Sequence, residues 1–213
     1  TADVEGHDAC RKICIISSLV FGKHVYPDSV YTKGISDVKL CDVAAADVLG
    51  YAVKLIASVK RLENGKILPT VMPMLVPHES IMAGVSDVFN AVMVYADGID
   101  KAMFYGRGAG MVPTARAVVG DVIDIVRDGE YNPYYSWGDA DKEKIIPYED
   151  INTKFFVRIE EAQKEKIASI FPDVEIIKGV SDYGFVSPLM SVKELDEKLT
   201  AAGGYISRIR LFR

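Results

Sequence analysis

The sequence predicts an α+β chain: helices packed on an antiparallel or mixed sheet, followed by a small ferredoxin-like unit. Three observations carry that prediction. Apolar residues recur at helical spacing in several segments that end in glycine. Two pairs of alternating apolar runs flank Asn64-Gly65 and Asp97-Gly98. The last stretch, residues 153–213, reads strand, helix, strand, strand, helix, strand.

The first helix is expected from about Glu5 to Val20, with Asp3 as its N-cap and Gly22 as its stop. Its apolar stripe is read as Ile13, Ile16, Leu19 and Val20. The stretch KHVYPDSVYTKG reads as loop or short extended structure. A second helix fits Asp37 to Leu49, with Val38, Cys41, Ala45 and Val48 on one side and Gly50 at the end. The period then becomes alternating. YAVKLIASVKRLENGKILPTVMPMLV holds two strand-like runs joined by Asn64-Gly65, whose residues tolerate the positive φ of a hairpin turn. VFNAVMVYA and DKAMFYG form a second hairpin about Asp97-Gly98, and the four strands would make a sheet covered on one face by helices. After the glycines of GRGAG, a helix opens at Pro113 or Thr114, lasts to about Asp128 and stops at Gly129. Residues 129–152 are polar and aromatic without a period, and read as a linker between 1–128 and 153–213. In the terminal unit FFVRI, VEIIKGV, FVSPLMSV and YISRIRLF are the strands, and Gln163 to Ile170 and KELDEKLTAA the helices.

Composition excludes several classes. The net charge is −5 and no block of Lys and Arg stands out, so a nucleic-acid footprint is not expected. The longest apolar stretches, such as Ile13 to Phe21, are too short to span a bilayer. Cys10 and Cys14 lie four apart without a matching Cys or His pair. With Cys41 they read as small thiols of a reducing cytoplasm, not as metal ligands. No signal peptide is expected. The first residue is Thr and a helix starts almost at once, so the chain reads as a piece of a longer protein.

Positions 3 to 12 spell D-V-x-G-x-D-x-x-x-K. A helix places Asp8 and Lys12 one turn apart on one face. One reading is an exposed ion pair worth about 0.3–0.5 kcal/mol. Three features favour chemistry instead. Gly6 shares the turn and invites a close approach, His7 and Arg11 make a second i,i+4 pair beside it, and the turns that follow are apolar and would anchor the charged end. An ammonium beside a carbonyl can deliver a proton to the forming alkoxide, and the amine can take it back. An adjacent carboxylate can bind a substrate amine and orient the lysine.

DVEGHDACRK resembles the end of the homoserine dehydrogenase signature, with Asp3, Val4, Gly6, Asp8 and Lys12 all matching. LGYAVKLIA, VFNAVMVYADG and FYGRGAGMVPTARAVVGDVIDI are similar to further stretches of that family, so the resemblance covers residues 1–128. The terminal unit resembles an ACT domain. The resemblance implies a substrate-binding and dimerisation domain of the kind found C-terminally in glyceraldehyde-3-phosphate dehydrogenases. It also implies an upstream nucleotide-binding domain that holds most of the NADP or NAD. The implied reaction interconverts L-aspartate 4-semialdehyde and L-homoserine in the cytoplasm, for threonine, methionine and isoleucine biosynthesis, in a homodimer or homotetramer. By resemblance Lys12 is the acid/base group, Asp8 contacts substrate and Gly110 lies against the cofactor. Residues 1–213 alone are then expected to be inactive.

Other residues carry less. Thr114 reads as an N-cap before it reads as a neighbour of the cofactor, and Arg107 could meet a phosphate or carboxylate or make a surface ion pair. His7, His24 and His78 have no nucleophile signature around them. L-threonine is the ligand an ACT domain implies, but the first turn is Glu160-Glu161-Ala162-Gln163, with two acids where a glycine is usual. Subunit assembly is the other role open to that unit. The alternatives to an enzyme segment are an amino-acid-sensing module and a dimerisation scaffold. The residues that choose NAD or NADP would lie upstream.

Overall fold

The computed structural model describes residues 2–129, 137–178 and 182–212. It begins with α1 (His7–Phe21), β1 (Tyr31–Thr32) and α2 (Leu40–Val48), then a long hairpin of β2 (Tyr51–Arg61) and β3 (Ile67–Pro77). A second hairpin, β4 (Phe89–Ala96) and β5 (Asp100–Arg107), leads into α3 (Met111–Asp128). The last third holds β6 (Asn152–Thr153), β7 (Phe155–Ile159), α4 (Lys164–Ile170), β8 (Ile177–Lys178), β9 (Tyr183–Val186), β10 (Met190–Ser191), α5 (Val192–Ala201) and β11 (Ser207–Leu211). These elements form two compact units, residues 2–77 with 137–212, and residues 78–129.

Strand β3 is the spine of the larger unit. It pairs along its whole length with β2, from Tyr51↔Pro77 to Arg61↔Ile67, and every residue from Ile67 to Val76 is buried. Yet β3 carries Pro69, Pro73 and Pro77, which is unusual in a central strand because each proline lacks an N–H. Their parity explains how they are tolerated. The carbonyls of Ile67, Val71 and Leu75 accept from Ile146, Lys33 and Phe212, so the odd-numbered groups of β3 face away from β2. All three prolines are odd. The ladder to β2 therefore stays whole, and the gaps fall on the other edge. There two short parallel strands dock separately, β1 at Thr70–Val71 and β11 at Met74–Leu75.

The resulting mixed sheet runs β1-β3-β11-β7-β9-β8, with β2 on the far side of β3. Its segment β11-β7-β9-β8 is antiparallel throughout. It has the fourth-first-third-second order of a ferredoxin-like split motif. The terminal unit thus shares one continuous sheet with residues 31–77. The expected single sheet of two hairpins is not found. Among the described residues β4 and β5 pair only with each other, in the smaller unit. β6 and β10 form a further two-stranded pair, and the Ser191 side chain caps α5 by accepting from the Glu194 N–H at 3.1 Å.

Both N-terminal helices turn unexpected faces to the core. On α1 the buried residues are Cys10, Ile13, Cys14, Ser17 and Ser18, whereas Ile16, Leu19 and Val20 are exposed. The serines are tolerated inside because Ser18 Oγ donates to the Cys14 carbonyl at 2.7 Å and accepts from the Val25 N–H at 3.0 Å. On α2 the buried residues are Asp42 and Ala46, while Cys41 and Val48 face solvent. Asp42 is inside because it is paired. Arg158 of β7 reaches it at 2.5 Å, the Ser207 hydroxyl donates to it at 2.5 Å and the Lys39 N–H at 2.8 Å. The same guanidinium also binds Asp182, with Nε at 3.0 Å.

Candidate active site

α1 begins where the chain makes a left-handed turn. Gly6 is the N-cap, with φ of 77° and no side-chain cap, and Asp3 does not serve as one. A Cβ on Gly6 would also lie 3.1 Å from Val71 Cγ1, so the close approach predicted at Gly6 comes from β3 of the core. The first amides of the helix are not left open: the Ala2 carbonyl accepts from His7 at 2.9 Å and from Asp8 at 3.3 Å. The next wall is residues 33–37. The Ile35 N–H donates to the Val4 carbonyl at 2.8 Å, Ser36 Oγ donates to Glu5, and Lys33 pairs with Asp37 at 3.6 Å. Gly34 packs so closely that a Cβ there would collide with the Val4 carbonyl and the Glu5 Cα. The start of α1 is therefore clamped from two sides before the charged residues are reached.

On this clamped turn Lys12 Nζ lies 2.6 Å from Asp8 Oδ2, with the two side chains 67% and 44% exposed. The structure thus brings the two predicted residues together, in contact with solvent. The helix face they share continues at i+3, i+4 and i+7 into Ile15, Ile16 and Leu19, all exposed. Of the residues expected to anchor the helix, Ile13 does so, together with Cys10 and Cys14, whereas Ile16 and Leu19 join Ile15 in an open apolar strip beside Lys12. Burial, with Cys10 alongside, pushes the Cys14 thiol up to about 12, which keeps it an inert core group.

Gly110 belongs to the smaller unit. It is the N-cap of α3, with φ of 127° and ψ of 157°, and no side chain caps the helix. Thr114 is inside the first turns, where its N–H donates to the Gly110 carbonyl at 3.1 Å, so it is not the cap. The exposed start of an eighteen-residue helix, entered through a residue that only glycine fits easily, suits a negatively charged or carbonyl-bearing group. Arg107 lies over the Phe89 ring at 5.5 Å. His7 is exposed on α1, and His24 accepts at Nδ1 from Trp137 Nε1 at 3.1 Å. Among the described residues no group of three or more His, Cys, Asp or Glu could hold a metal ion, and no helix is long and apolar enough to cross a membrane.

Gly34 and Ser36 are the site residues that sequence reasoning missed. Gly34 falls in a segment read only as loop. A glycine ending such a loop is a weak signal of close approach, and nothing local pointed to its partner.

Comparison with known proteins places the chain in a dehydrogenase class. Along its whole length the chain is similar to a solved homoserine dehydrogenase from Thiobacillus denitrificans, with a TM-score of 0.85 and 30% identity, covering 54% of that chain. A Staphylococcus aureus homoserine dehydrogenase structure follows at 0.76 and 31%, again over all of this chain and 55% of that one. The family model for homoserine dehydrogenase matches residues 1–123, and the chain belongs to that family. Curated relatives include the homoserine dehydrogenases of Pseudomonas aeruginosa, 38% identical over 167 residues, and Corynebacterium glutamicum, 44% identical over 132 residues. Those alignments cover 75% and 60% of this chain but only 38% and 30% of the relatives. The chain thus spans well under half the length of the curated relatives it matches.

Proposed function

We propose that this chain supplies the substrate-binding, acid–base part of a homoserine dehydrogenase that interconverts L-aspartate 4-semialdehyde and L-homoserine. One observation carries the reading: a lysine and a carboxylate in contact at 2.6 Å, open to solvent, on the clamped first turns of a helix that one face anchors in the core. In the reducing direction Lys12 Nζ gives its proton to the aldehyde oxygen as that oxygen becomes a hydroxyl. In the oxidising direction the neutral amine takes the proton back. Its positive charge lowers the cost of alkoxide character in between. Asp8 orients Lys12 and receives the substrate's amino group. NAD(P), when bound, supplies or accepts the hydride at C4. Gly110 and the uncapped start of α3 fit a place against it. The open strip of Ile15, Ile16 and Leu19 supports the reading, since a further part of the enzyme closing on it would exclude water from Lys12.

The proposed functional division is a substrate-binding segment, residues 1–128, a connection, 129–152, and a terminal unit, 153–213. An ACT-type role for the terminal unit rests on its strand order alone. L-threonine is the ligand such a role would imply, and at the first turn Glu160 and Gln163 form a reciprocal capping box. Exposed Val92, Tyr95, Phe104 and Tyr105 on the β4–β5 hairpin support self-association, as a cytoplasmic dimer or larger assembly.

The test is reconstitution. Co-expressed with a nucleotide-binding domain from a relative, the chain should give L-homoserine-dependent reduction of NAD(P)+, and Lys12→Ala should lower it about 10²–10⁴-fold. A folded, cofactor-binding complex with no such activity would count against the proposal.

A further inference from the structure

Away from Asp8 and Lys12, at the opposite end of α1, the larger unit holds a cleft of about 250 Å³. Three separate chain segments wall it: the exit of α1, the β2–β3 turn and residues 141–145. Backbone bonds fix them to one another. His24 N–H donates to the Gly138 carbonyl at 2.9 Å, Gly138 N–H to Gly22 at 3.0 Å, and Ile146 N–H to Ile67 at 3.0 Å. The floor is apolar, formed by Phe21, Ile67 and Ile145.

The charge of this cleft departs from the rest of the chain. Lys23, Arg61 and Lys144 line it against a single acid, Asp141, in a protein of net charge −5. Six other cations, Lys12, Lys33, Lys142, Arg158, Lys198 and Arg208, sit in ion pairs. Among the described residues Lys23, Arg61 and Lys144 have no carboxylate within ion-pair distance. The carbonyl end of α1 accounts for one cation at most, and Arg61 and Lys144 come from other segments. Arg61 is already oriented, its guanidinium lying over the Phe21 ring at 5.0 Å. His24 adds a neutral donor. Its Nδ1 accepts from Trp137, which leaves the ring proton on Nε2, and the ring is held by stacking on Tyr26 at 4.0 Å.

We infer that this cleft binds a small dianion, a phosphate monoester or a dicarboxylate, whose charge meets Lys23, Arg61 and Lys144 and whose carbon part rests on Phe21 and Ile145. The inference is independent of the role of Lys12.

Trp137 is the only tryptophan in the chain and is bonded to His24 of the cleft, so it reports occupancy directly. The 213-residue chain is titrated with inorganic phosphate, with succinate and with chloride at constant ionic strength, reading Trp137 emission and calorimetric heat together. A saturable response to phosphate or succinate but not chloride is expected, and the stronger of the two names the ligand chemistry. Arg61→Gln and Lys144→Gln should each weaken binding about tenfold, the loss of one charge-assisted contact. Lys166→Gln, at an exposed position of α4, should leave it unchanged. Equal responses to chloride, silent heat and emission, or unchanged affinity in both cleft variants would overturn the assignment.

Discussion

Arg158→Met removes the one cation that holds two carboxylates inside the larger unit. The guanidinium bonds Asp42 through Nη1 and Asp182 through Nε and Nη2. Arg158 and Asp42 are only 5% and 1% exposed at their side chains, and Asp182 11%. Without Arg158, Asp42 keeps its bonds from Ser207 and the Lys39 N–H but carries an uncompensated charge in the core. Breaking one side of such a buried pair costs about 3–5 kcal/mol. The partly hydrated Asp182 and the surviving bonds of Asp42 place this case near the lower end, about 3 kcal/mol. That is a large part of the 5–15 kcal/mol typical of a domain. Urea unfolding followed by circular dichroism measures it. The double variant Asp42→Asn/Arg158→Met should recover about 1–2 kcal/mol, because the stranded charge is gone. A loss under about 1 kcal/mol for Arg158→Met, or no recovery in the double variant, would show that the triad is not the buried, paired network described.

Three further outcomes follow from the same contacts. Burial raises the Asp42 carboxyl, but bonds from Ser207, the Lys39 N–H and Arg158 outweigh it and hold it below its ordinary 3.8. Its stabilisation is therefore complete above 3.8 and is lost as pH falls through the lower folded value. Asp42→Asn should flatten the acid limb of the stability–pH curve and leave its slope above pH 5 unchanged. Thiol alkylation of the native chain near pH 8, read by mass spectrometry, should modify exposed Cys41, while Cys14, pushed up to about 12, and buried Cys10 react only on unfolding. Gly34→Ala should cost about 1–3 kcal/mol in thermal or urea unfolding, because its Cβ meets backbone. Gly84→Ala, where nothing lies within 4 Å, should stay within about 0.5 kcal/mol.

What was legible in the sequence was local. Asn64-Gly65 and Asp97-Gly98 announced both hairpins because their turns need positive φ, and Gly65 and Gly98 have it, at 76° and 86°. Gly22 and Gly129 marked helix ends for the same reason. Helix faces were misread where polar residues lie inside. Ser17, Ser18 and Asp42 are core residues, and the apolar residues Ile16, Leu19 and Val20 that outweighed them in the pattern are exposed. The parallel pairing of β11 with β3 joins strands far apart in sequence and leaves no local periodicity, so the terminal unit read as separate. The site divides in the same way. Asp8 and Lys12 were visible because i,i+4 spacing is a property of one helix. The Ser36–Glu5 contact spans 31 residues and had no sequence signature.

The most direct test separates proton transfer at Lys12 from its charge. In the reconstituted enzyme, kcat for L-homoserine oxidation is measured across pH for the parent, Lys12→Ala and Lys12→Arg. If Lys12 moves the proton, both variants should lose about 10²–10⁴-fold in kcat, and the arginine variant, which keeps the charge, should not be rescued. Retention of parent kcat and pH profile in Lys12→Ala would contradict the assignment of Lys12 as the acid and base.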